Sequence, residues 1–543
     1  MTGPNPQDMI DELKYDIQVR DERKARIVLS YFGQTDDKTQ NRLLFELSRV
    51  DPGFSVPLMC HLLATHSSMD ADFPIIKEML ISKLLDVPAL LLSLLQEDID
   101  PAEKAIYFEV AGEMRFEAAT PTLLSILYET ENVETIKQII SALGAIGDPG
   151  ATSALADYLY SDKPELVVLA VDALGQICTP TAMHRLSERM GTDHELDRTI
   201  LQIFSNVQDT ISLQKLNDTI RSHNANLRNF AKATLVKIGS KAVPLLTENL
   251  LYDDPDLQIH SLNILGETAD PSAIAPIRKL LFNEPKNANV RFAAYEALAL
   301  LPLRQGAYTL AAGLTDPEEH VRIAAARAID RNLSDILKAG IKNMVKLKDK
   351  DAQQIVKTIV NAQADAIFTS LVPEAYFEEL AVVHLTEAHG DIRQHYRNLL
   401  RRIGFSEFAD RITPEEKRPA SRLRVCAVDD SRMILTIYKN TLHELGYESV
   451  LFEFPESALQ WLEKNKPDIV LTDLNMPETT GIELTERIRK RYAKKVLPVI
   501  MVTTQNESQD FDTAHKAGVN EILHKPFNAD SLNEVITRYT QTG

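Results

Sequence analysis

The sequence is poor in cysteine and in positive charge. Its three cysteines, Cys60, Cys178 and Cys426, lie far apart and form no CxxC pair, so we expect buried reduced thiols rather than disulfides or a zinc site. A net charge of −19 argues against nucleic acid as the main partner, because that partner requires a basic surface. No apolar run reaches membrane-spanning length, and the first residues do not resemble a signal peptide. These absences predict a cytoplasmic protein without membrane insertion or nucleic-acid binding.

Common enzyme motifs are also missing. The chain has no P-loop, no GxSxG, no HExxH and no ATP-binding motif of a histidine kinase, so we expect no conventional enzyme. His384, His389 and His395 cluster in sequence, but their spacing matches no common zinc pattern, and helix-surface positions are predicted for them. The basic run from Arg489 to Lys495 is predicted to be a solvated face.

A short pattern does recur through the first part of the chain. It is an apolar helix that ends near a small residue and is followed by a turn and a second helix. Successive copies are 30 to 33 residues apart, a regularity that indicates a repeat array. The copies centre on Gly112, Gly144, Gly175, Ser205, Val236, Gly266, Ala299 and Asp330.

Each repeat has the pattern of two amphipathic helices. In one copy, Pro164 precedes ELVVLAVDALGQI, whose apolar residues recur at helical spacing, and TAMHRLSERM follows a Thr179–Pro180 turn. Stacked helix pairs bury apolar faces that one pair cannot bury alone, so the sequence predicts an all-α solenoid. The repeats resemble HEAT or HEAT-like repeats, a family whose members mostly bind other proteins. We assign 1–334 to this solenoid and 335–411 to a helical cap or an additional helical module.

The pattern changes after a polar segment, residues 412–422, that contains two prolines and is predicted to be a linker. From 423 to 543, five short apolar runs alternate with amphipathic helices: RVCAV, VLFEF, DIVLT, PVIMVT and EILH. This alternation predicts an α/β domain with a five-stranded parallel sheet covered on both faces. Ligands of such sheets bind beyond the carboxyl ends of the strands.

Side chains that could take part in chemistry stand at the ends of four of these runs. Asp429 and Asp430 follow the first run, Asp473 follows the third, Thr503 ends the fourth, and Lys525 follows the fifth. Three carboxylates that share a pocket repel one another and need a cation, and oxygen ligands suit Mg²⁺. A carboxylate beside Mg²⁺ can attack a phosphoryl group while the metal and a lysine neutralise the developing charge.

These motifs resemble the receiver domain of two-component response regulators, a flavodoxin-like fold, over residues 422–540. The motifs are VDDS, TDLNMPETTG with Asn475 and Gly481, MVTT, and KPF with Lys525. The resemblance implies that Asp473 is phosphorylated from a phosphohistidine of a sensor histidine kinase or phosphotransfer protein. It implies direct Mg²⁺ ligation by Asp430, Asp473 and the carbonyl of Asn475, a water-mediated role for Asp429, and phosphoryl contacts from Thr503 and Lys525.

Two residues depart from the usual pattern of that family. Ile522 stands where Tyr or Phe usually partners the threonine, so the usual threonine–aromatic switch is not expected. Thr504 is bulkier than the alanine often found at its position, and we expect slower phosphotransfer or hydrolysis for that reason.

We therefore expect a response regulator whose HEAT scaffold binds an unknown protein partner. Phosphorylation would change how the receiver packs on the scaffold, or whether it forms a homodimer. Two alternatives stay open at this point. The receiver could be a phosphate sink or docking module without switched output, or the HEAT-like part could be an enzyme such as a bilin lyase.

Overall fold

The computed structural model describes most of the chain in two compact units, residues 1–215 and 216–543. The described residues are 5–66, 74–222, 224–303, 307–388, 390–412, 423–476, 479–503, 508–525, 527 and 529–540. Within them, no helix is long and apolar enough to cross a membrane.

The first unit consists of helices joined by short turns, some of them single 3₁₀ turns. Its helices are α1 (Pro6–Val19), α2 (Glu22–Leu29), α3 (Asp37–Ser48), α4 (Pro52–Thr65), α5 (Pro74–Asp86), α6 (Pro88–Gln96), α7 (Pro101–Glu113), α8 (Thr120–Glu129), α9 (Val133–Ile146), α10 (Thr152–Asp157), α11 (Pro164–Ile177), α12 (Pro180–Arg189) and α13 (His194–Val207). The next helix, α14 (Thr210–Thr219), contains the boundary between the units.

The second unit begins with more helix pairs. They are α15 (Ala225–Ile238), α16 (Val243–Asn249), α17 (Pro255–Thr268), α18 (Ile274–Phe282), α19 (Ala288–Leu300), α20 (Glu319–Arg331), α21 (Asp335–Lys346), α22 (Lys350–Ala362), α23 (Asp365–Leu371), α24 (Ala375–Glu387), α25 (Gly390–Arg402) and α26 (Ser406–Arg411). Helix α22 packs against α20 and α24, so helix-on-helix packing continues through residues 335–411.

The small residue of each repeat allows neighbouring helices to approach closely. A Cβ atom on Gly144 of α9 would lie 2.7 Å from the Cα atom of Ala173 on α11. In the second unit, a Cβ atom on Gly266 of α17 would lie 2.9 Å from the Cα atom of Ala297 on α19. Both distances are too short for a side chain, so glycine here is a packing requirement of the array.

A second periodic feature lies at the turn between the two helices of a pair. Backbone φ is positive there at intervals of 30 or 31 residues, although only two of these positions hold glycine. The positions are Gly147 (79°), Cys178 (54°), Gln208 (54°), Gly239 (68°) and Ala269 (54°). This backbone conformation commonly ends a helix and lets the chain reverse direction.

The last part of the second unit is a five-stranded parallel sheet in the order β2-β1-β3-β4-β5. Its strands are β1 (Arg424–Val428), β2 (Glu448–Phe452), β3 (Ile469–Thr472), β4 (Val499–Thr503) and β5 (Glu521–His524). The helices between and after them are α27 (Arg432–Glu444), α28 (Pro455–Leu462), α29 (Gly481–Arg489), α30 (Ser508–Ala517) and α31 (Ala529–Thr540).

Alternating side chains of the central strands form two cores, one on each face of the sheet. Val425 and Ala427 pack with residues of α27 and α31, whereas Cys426 and Val428 pack with residues of α28 and α29. The predicted fold class, an all-α repeat region followed by a five-stranded parallel α/β domain, is confirmed.

The bounds of the second strand differ from the prediction. The sequence placed the second strand at VLFEF, but β2 begins two residues earlier, at Glu448, and ends at Phe452. The backbone N–H of Glu448 donates to the carbonyl of Leu423, which extends the pairing with β1 at this end. Pro455 begins the next helix, so the chain leaves the sheet before Phe454, which is exposed.

Candidate functional site

The carboxyl edge of the sheet brings the predicted side chains together. Asp429 follows β1, Asp473 follows β3, Thr503 is the last residue of β4, and Lys525 follows β5. Backbone hydrogen bonds fix these strand ends. The N–H of Asp473 donates to Val428, and the N–H of Lys525 donates to Thr503.

Lys525 joins two of the carboxylates. Its Nζ atom donates to Asp429 Oδ2 at 2.6 Å and to Asp473 Oδ1 at 2.8 Å. The other oxygen of Asp429 accepts from the backbone N–H of Ser431 at 2.9 Å. Because all three side chains are nearly buried, charge neutralisation within this cluster is required.

The protonation equilibria of this cluster depend on one another. Burial raises the pKa of Asp429, Lys525 lowers it, and the neighbouring Asp473 raises it again. Burial by itself lowers the pKa of Lys525, but Asp429 and Asp473 together raise that pKa above its usual range. Lys525 therefore stays charged, and the site is built around a fixed cation.

The remaining oxygen donors of the site face a different cation. The Arg228 Nη2 atom of helix α15 lies 3.7 Å from Asp430 Oδ2 and 3.5 Å from the carbonyl oxygen of Asn475. The side-chain amide of Asn229 donates to the same Asp430 oxygen at 3.4 Å. Two of the oxygens implied as metal ligands therefore converge on one point, and a guanidinium nitrogen lies there.

This donor set fits Mg²⁺. In the described part of the chain, no three His, Cys, Asp or Glu side chains form a ready metal-binding group. Mg²⁺ needs fewer protein ligands, because it usually keeps several waters and binds through one or two carboxylates. Asp430, Asp473 and the carbonyl of Asn475 would hold it, provided that Arg228 moves away.

The loop after β3 brings its backbone close to the Asp473 side chain. The N–H of Asn475 donates to Asp473 Oδ2 at 3.3 Å, and the N–H of Gly481 donates to Leu474 at 2.9 Å. A Cβ atom on Gly481 would lie only 2.0 Å from the carbonyl oxygen of Asp473. Glycine is therefore required at this position, where α29 begins behind a Thr480–Glu483 capping box.

Other predicted positions are only partly described. Thr503 is buried at the end of β4. Thr504 lies outside the described residues, so the expected effect of its bulk stays a prediction, and the 413–422 segment of the predicted linker also lies outside them. Ile522 packs against the cluster of Leu474 and Met501, which also contains Ala514 and Val519.

The sequence did not predict two residues that contact the site. Arg228 and Asn229 belong to a repeat helix, and nothing in their local pattern marks them as neighbours of Asp430. The histidine cluster does not assemble into a site among the described residues: His395 pairs with Asp365 at 2.7 Å, and His389 is outside them.

Comparisons with known proteins find relatives for both parts of the chain. The family model of the response regulator receiver domain matches residues 425–537, and the family model of HEAT repeats matches residues 88–175 and 243–330. Chemotaxis protein CheY1 of Helicobacter pylori is 40% identical over 114 residues, which are 21% of this chain and 92% of that protein. A CheY homologue of Campylobacter jejuni is 39% identical over 123 residues, 22% of this chain and 95% of its own length.

A similar solved structure is the receiver domain of sensor histidine kinase PA1611 from Pseudomonas aeruginosa, which has a magnesium ion in its active-site cleft. It is 26% identical, covers 22% of this chain and 99% of its own, and has a TM-score of 0.21. On the family model and the curated relatives, the chain belongs to the response regulator receiver family through residues 425–537 and carries HEAT repeats before that domain.

Proposed function

We propose that this chain is a response regulator of a two-component phosphorelay, in which Asp473 accepts a phosphoryl group in a Mg²⁺-dependent reaction. The observation that carries the proposal is the Asp429–Lys525–Asp473 cluster at the carboxyl edge of the sheet. Its carboxylate nucleophile stands beside a fixed cation, and two further oxygen donors lie at Asp430 and Asn475.

The proposed transfer breaks the P–N bond of a phosphohistidine and forms a P–O bond to a carboxylate oxygen of Asp473. The leaving imidazole takes up a proton, and later hydrolysis of the acyl phosphate returns Asp473 and inorganic phosphate. When bound, Mg²⁺ supplies positive charge that offsets the charge on the transferred group.

The residues of the chain account for the rest of the reaction. Lys525 orients the Asp473 carboxylate through its 2.8 Å hydrogen bond and remains in place to neutralise a phosphoryl oxygen. Thr503, at the end of the neighbouring strand, supplies a hydroxyl for a second phosphoryl oxygen. Asp429 accepts the other hydrogen bond of Lys525, at 2.6 Å, which makes it a positioning residue.

We further propose that the HEAT scaffold is the output and that it binds a protein partner. The scaffold and the receiver lie on one chain, and helix α15 of the scaffold reaches the receiver site. A phosphate sink or docking module would share the receiver chemistry but would show no change in partner binding after phosphorylation.

Affinity capture from native cells tests this function. Wild-type protein treated with Mg²⁺ and acetyl phosphate is compared with untreated protein and with Asp473→Asn, which cannot accept the phosphoryl group. We expect partners that differ between the treated and untreated wild type and do not differ for Asp473→Asn. Phosphorylation of Asp473 without any change in captured partners would favour the phosphate sink and contradict a switched output.

A further inference from the structure

Helix α15 has two different sides. Leu227, Ala231 and Leu235 are buried in the repeat array. Arg228 and Lys232 lie one turn apart and therefore share a face. Together with Asn229 they form what we call the α15 polar face.

The α15 polar face lies against the phosphoacceptor site of the receiver. Arg228 and Asp430 retain only 14% and 17% of their side-chain exposure, so the contact excludes most water. Lys232 is half-buried and lies close enough to both for their charges to act on it. Burial and the neighbouring Arg228 lower the pKa of Lys232 to about 8, while Asp430 opposes the shift.

A second contact lies at the far end of α27. The Lys357 Nζ atom of helix α22 is 3.3 Å from Glu444 Oε1, and Glu319 of α20 lies close enough to raise the pKa of the same glutamate. Among the described residues, the receiver therefore contacts the scaffold at Glu444 as well as at Asp430, and of these two contacts the one with the α15 polar face involves the phosphoacceptor site.

The distances show which contacts at the site are tight and which are loose. Lys525 holds its two carboxylates at 2.6 and 2.8 Å, within the range of charge-assisted hydrogen bonds. Arg228 and Asn229 approach their oxygens only to 3.4–3.7 Å, at or beyond the long limit of a hydrogen bond. Mg²⁺ binds oxygen at about 2.0–2.1 Å and carries twice the charge, so it is the stronger occupant of the same point.

We propose that the α15 polar face is a built-in competitor of the metal. Arg228 and Asn229 hold the receiver against the HEAT scaffold while the site contains no metal, and Mg²⁺ binding with phosphorylation displaces them. Mg²⁺ binding and phosphorylation at the receiver site thereby release helix α15 of the scaffold. This inference rests on the proposed function and adds to it the element of the scaffold that senses the site.

Calorimetric titration of the full chain with MgCl₂ tests the competition. We expect Arg228→Ala to bind Mg²⁺ about tenfold more tightly than wild type, which corresponds to about 1.4 kcal/mol. Arg228 also donates to the carbonyl of Ser222 at 3.0 Å, so its loss can disturb the start of α15. Asn229→Ala avoids that problem and changes no charge, and we expect it to tighten binding about twofold to threefold.

Lys237→Ala is the matched control, because Lys237 is an exposed cation in the last turn of the same helix. It should leave the dissociation constant within about twofold of wild type if the effect is local rather than a long-range consequence of charge. Equal dissociation constants for wild type, Arg228→Ala and Asn229→Ala would overturn the proposal.

Side-chain accessibility provides an independent readout. Arg228 should be modified by phenylglyoxal severalfold faster after addition of Mg²⁺ and beryllofluoride, a phosphoryl analogue. Arg221 serves as the internal control, because it pairs with Asp254 within the scaffold and is already half exposed. Unchanged Arg228 modification would contradict displacement.

Asp473 phosphorylation by acetyl phosphate is measured on the same samples. Normal phosphorylation with no response of Mg²⁺ affinity to either Arg228→Ala or Asn229→Ala rejects this inference alone. No phosphorylation in any of the proteins rejects the proposed function, whatever the metal titrations show.

Discussion

Replacement of Lys525 by methionine tests the electrostatic core of the site. Lys525 is the shared partner of Asp429 and Asp473, and the exposed fractions of the three side chains are only 11%, 1% and 13%. Removal of one partner from a buried ion pair costs about 3–5 kcal/mol, because an uncompensated charge remains. We expect Lys525→Met to destabilise the receiver by about 3 kcal/mol at pH 8, the lower end of that range, because Asp473 keeps some contact with water.

The cost should depend on pH in a defined direction. Burial already raises the pKa of Asp429, and loss of the lysine raises it further. A carboxyl group whose pKa is raised in the folded state lowers the stability of the fold at pH values above that pKa, where the group is charged. It no longer does so once it has taken up a proton. The difference between Lys525→Met and wild type should therefore shrink as the pH falls from 8 to 5.

The single tryptophan makes this measurement specific for the receiver. Trp461 lies on α28 and packs against Phe452, with ring centroids 5.8 Å apart, so its fluorescence follows unfolding of this domain in urea. Lys439→Met, at an exposed position of α27, is the control. An unfolding midpoint for Lys525→Met that equals this control at pH 8 would refute the reasoning.

Three further predictions concern single positions. Ala269→Gly should raise the stability of the full chain by about 0.5–1 kcal/mol in thermal unfolding, because Ala269 has a φ of 54°; a loss of stability would contradict this. Gly481→Ala should cost the receiver about 1–3 kcal/mol in urea and slow its phosphorylation, because the new methyl group would displace Asp473. Burial and the neighbouring Glu319 raise the pKa of Glu444, so Glu444→Gln should stabilise the receiver at pH 8 and lose this advantage as wild type becomes protonated. A difference that does not vary with pH would contradict that cause.

The candidate site could be predicted well because its geometry follows from topology. Parallel strands end at the same edge, so the residues after β1, β3, β4 and β5 must meet there once the alternation of strands and helices is recognised. Asp429, Asp473, Thr503 and Lys525 all stand at strand ends, and Lys525 joins two of the acids.

Features that depend on tertiary contacts were harder to predict from the sequence. The basic run from Arg489 was expected to be a solvated face, but that interpretation was wrong for Arg489 itself, which is half-buried. It donates to the carbonyls of Gly518 and Leu497 at 2.9 Å. The left-handed turns at Cys178 and Gln208 also escaped prediction, because neither side chain favours that backbone conformation.

The contact between the scaffold and the receiver could not be predicted from sequence. Asn229 and Asp430 are separated by 201 positions, and no local pattern relates them. The net charge gave no indication of an arginine at this contact, since the whole chain is strongly acidic. Only the packing of the receiver on the helices of the second unit shows that a scaffold arginine faces the predicted metal ligands.

The most direct test of the central claim is chemical mapping of the phosphorylated residue. The full chain is incubated with Mg²⁺ and a phosphohistidine donor, the acyl phosphate is reduced with borohydride, and the digested peptides are sequenced by mass spectrometry. We predict conversion at Asp473 in wild type, no conversion in Asp473→Asn, and none when EDTA replaces Mg²⁺. Conversion at another residue, or conversion at Asp473 that does not require the metal, would contradict the account.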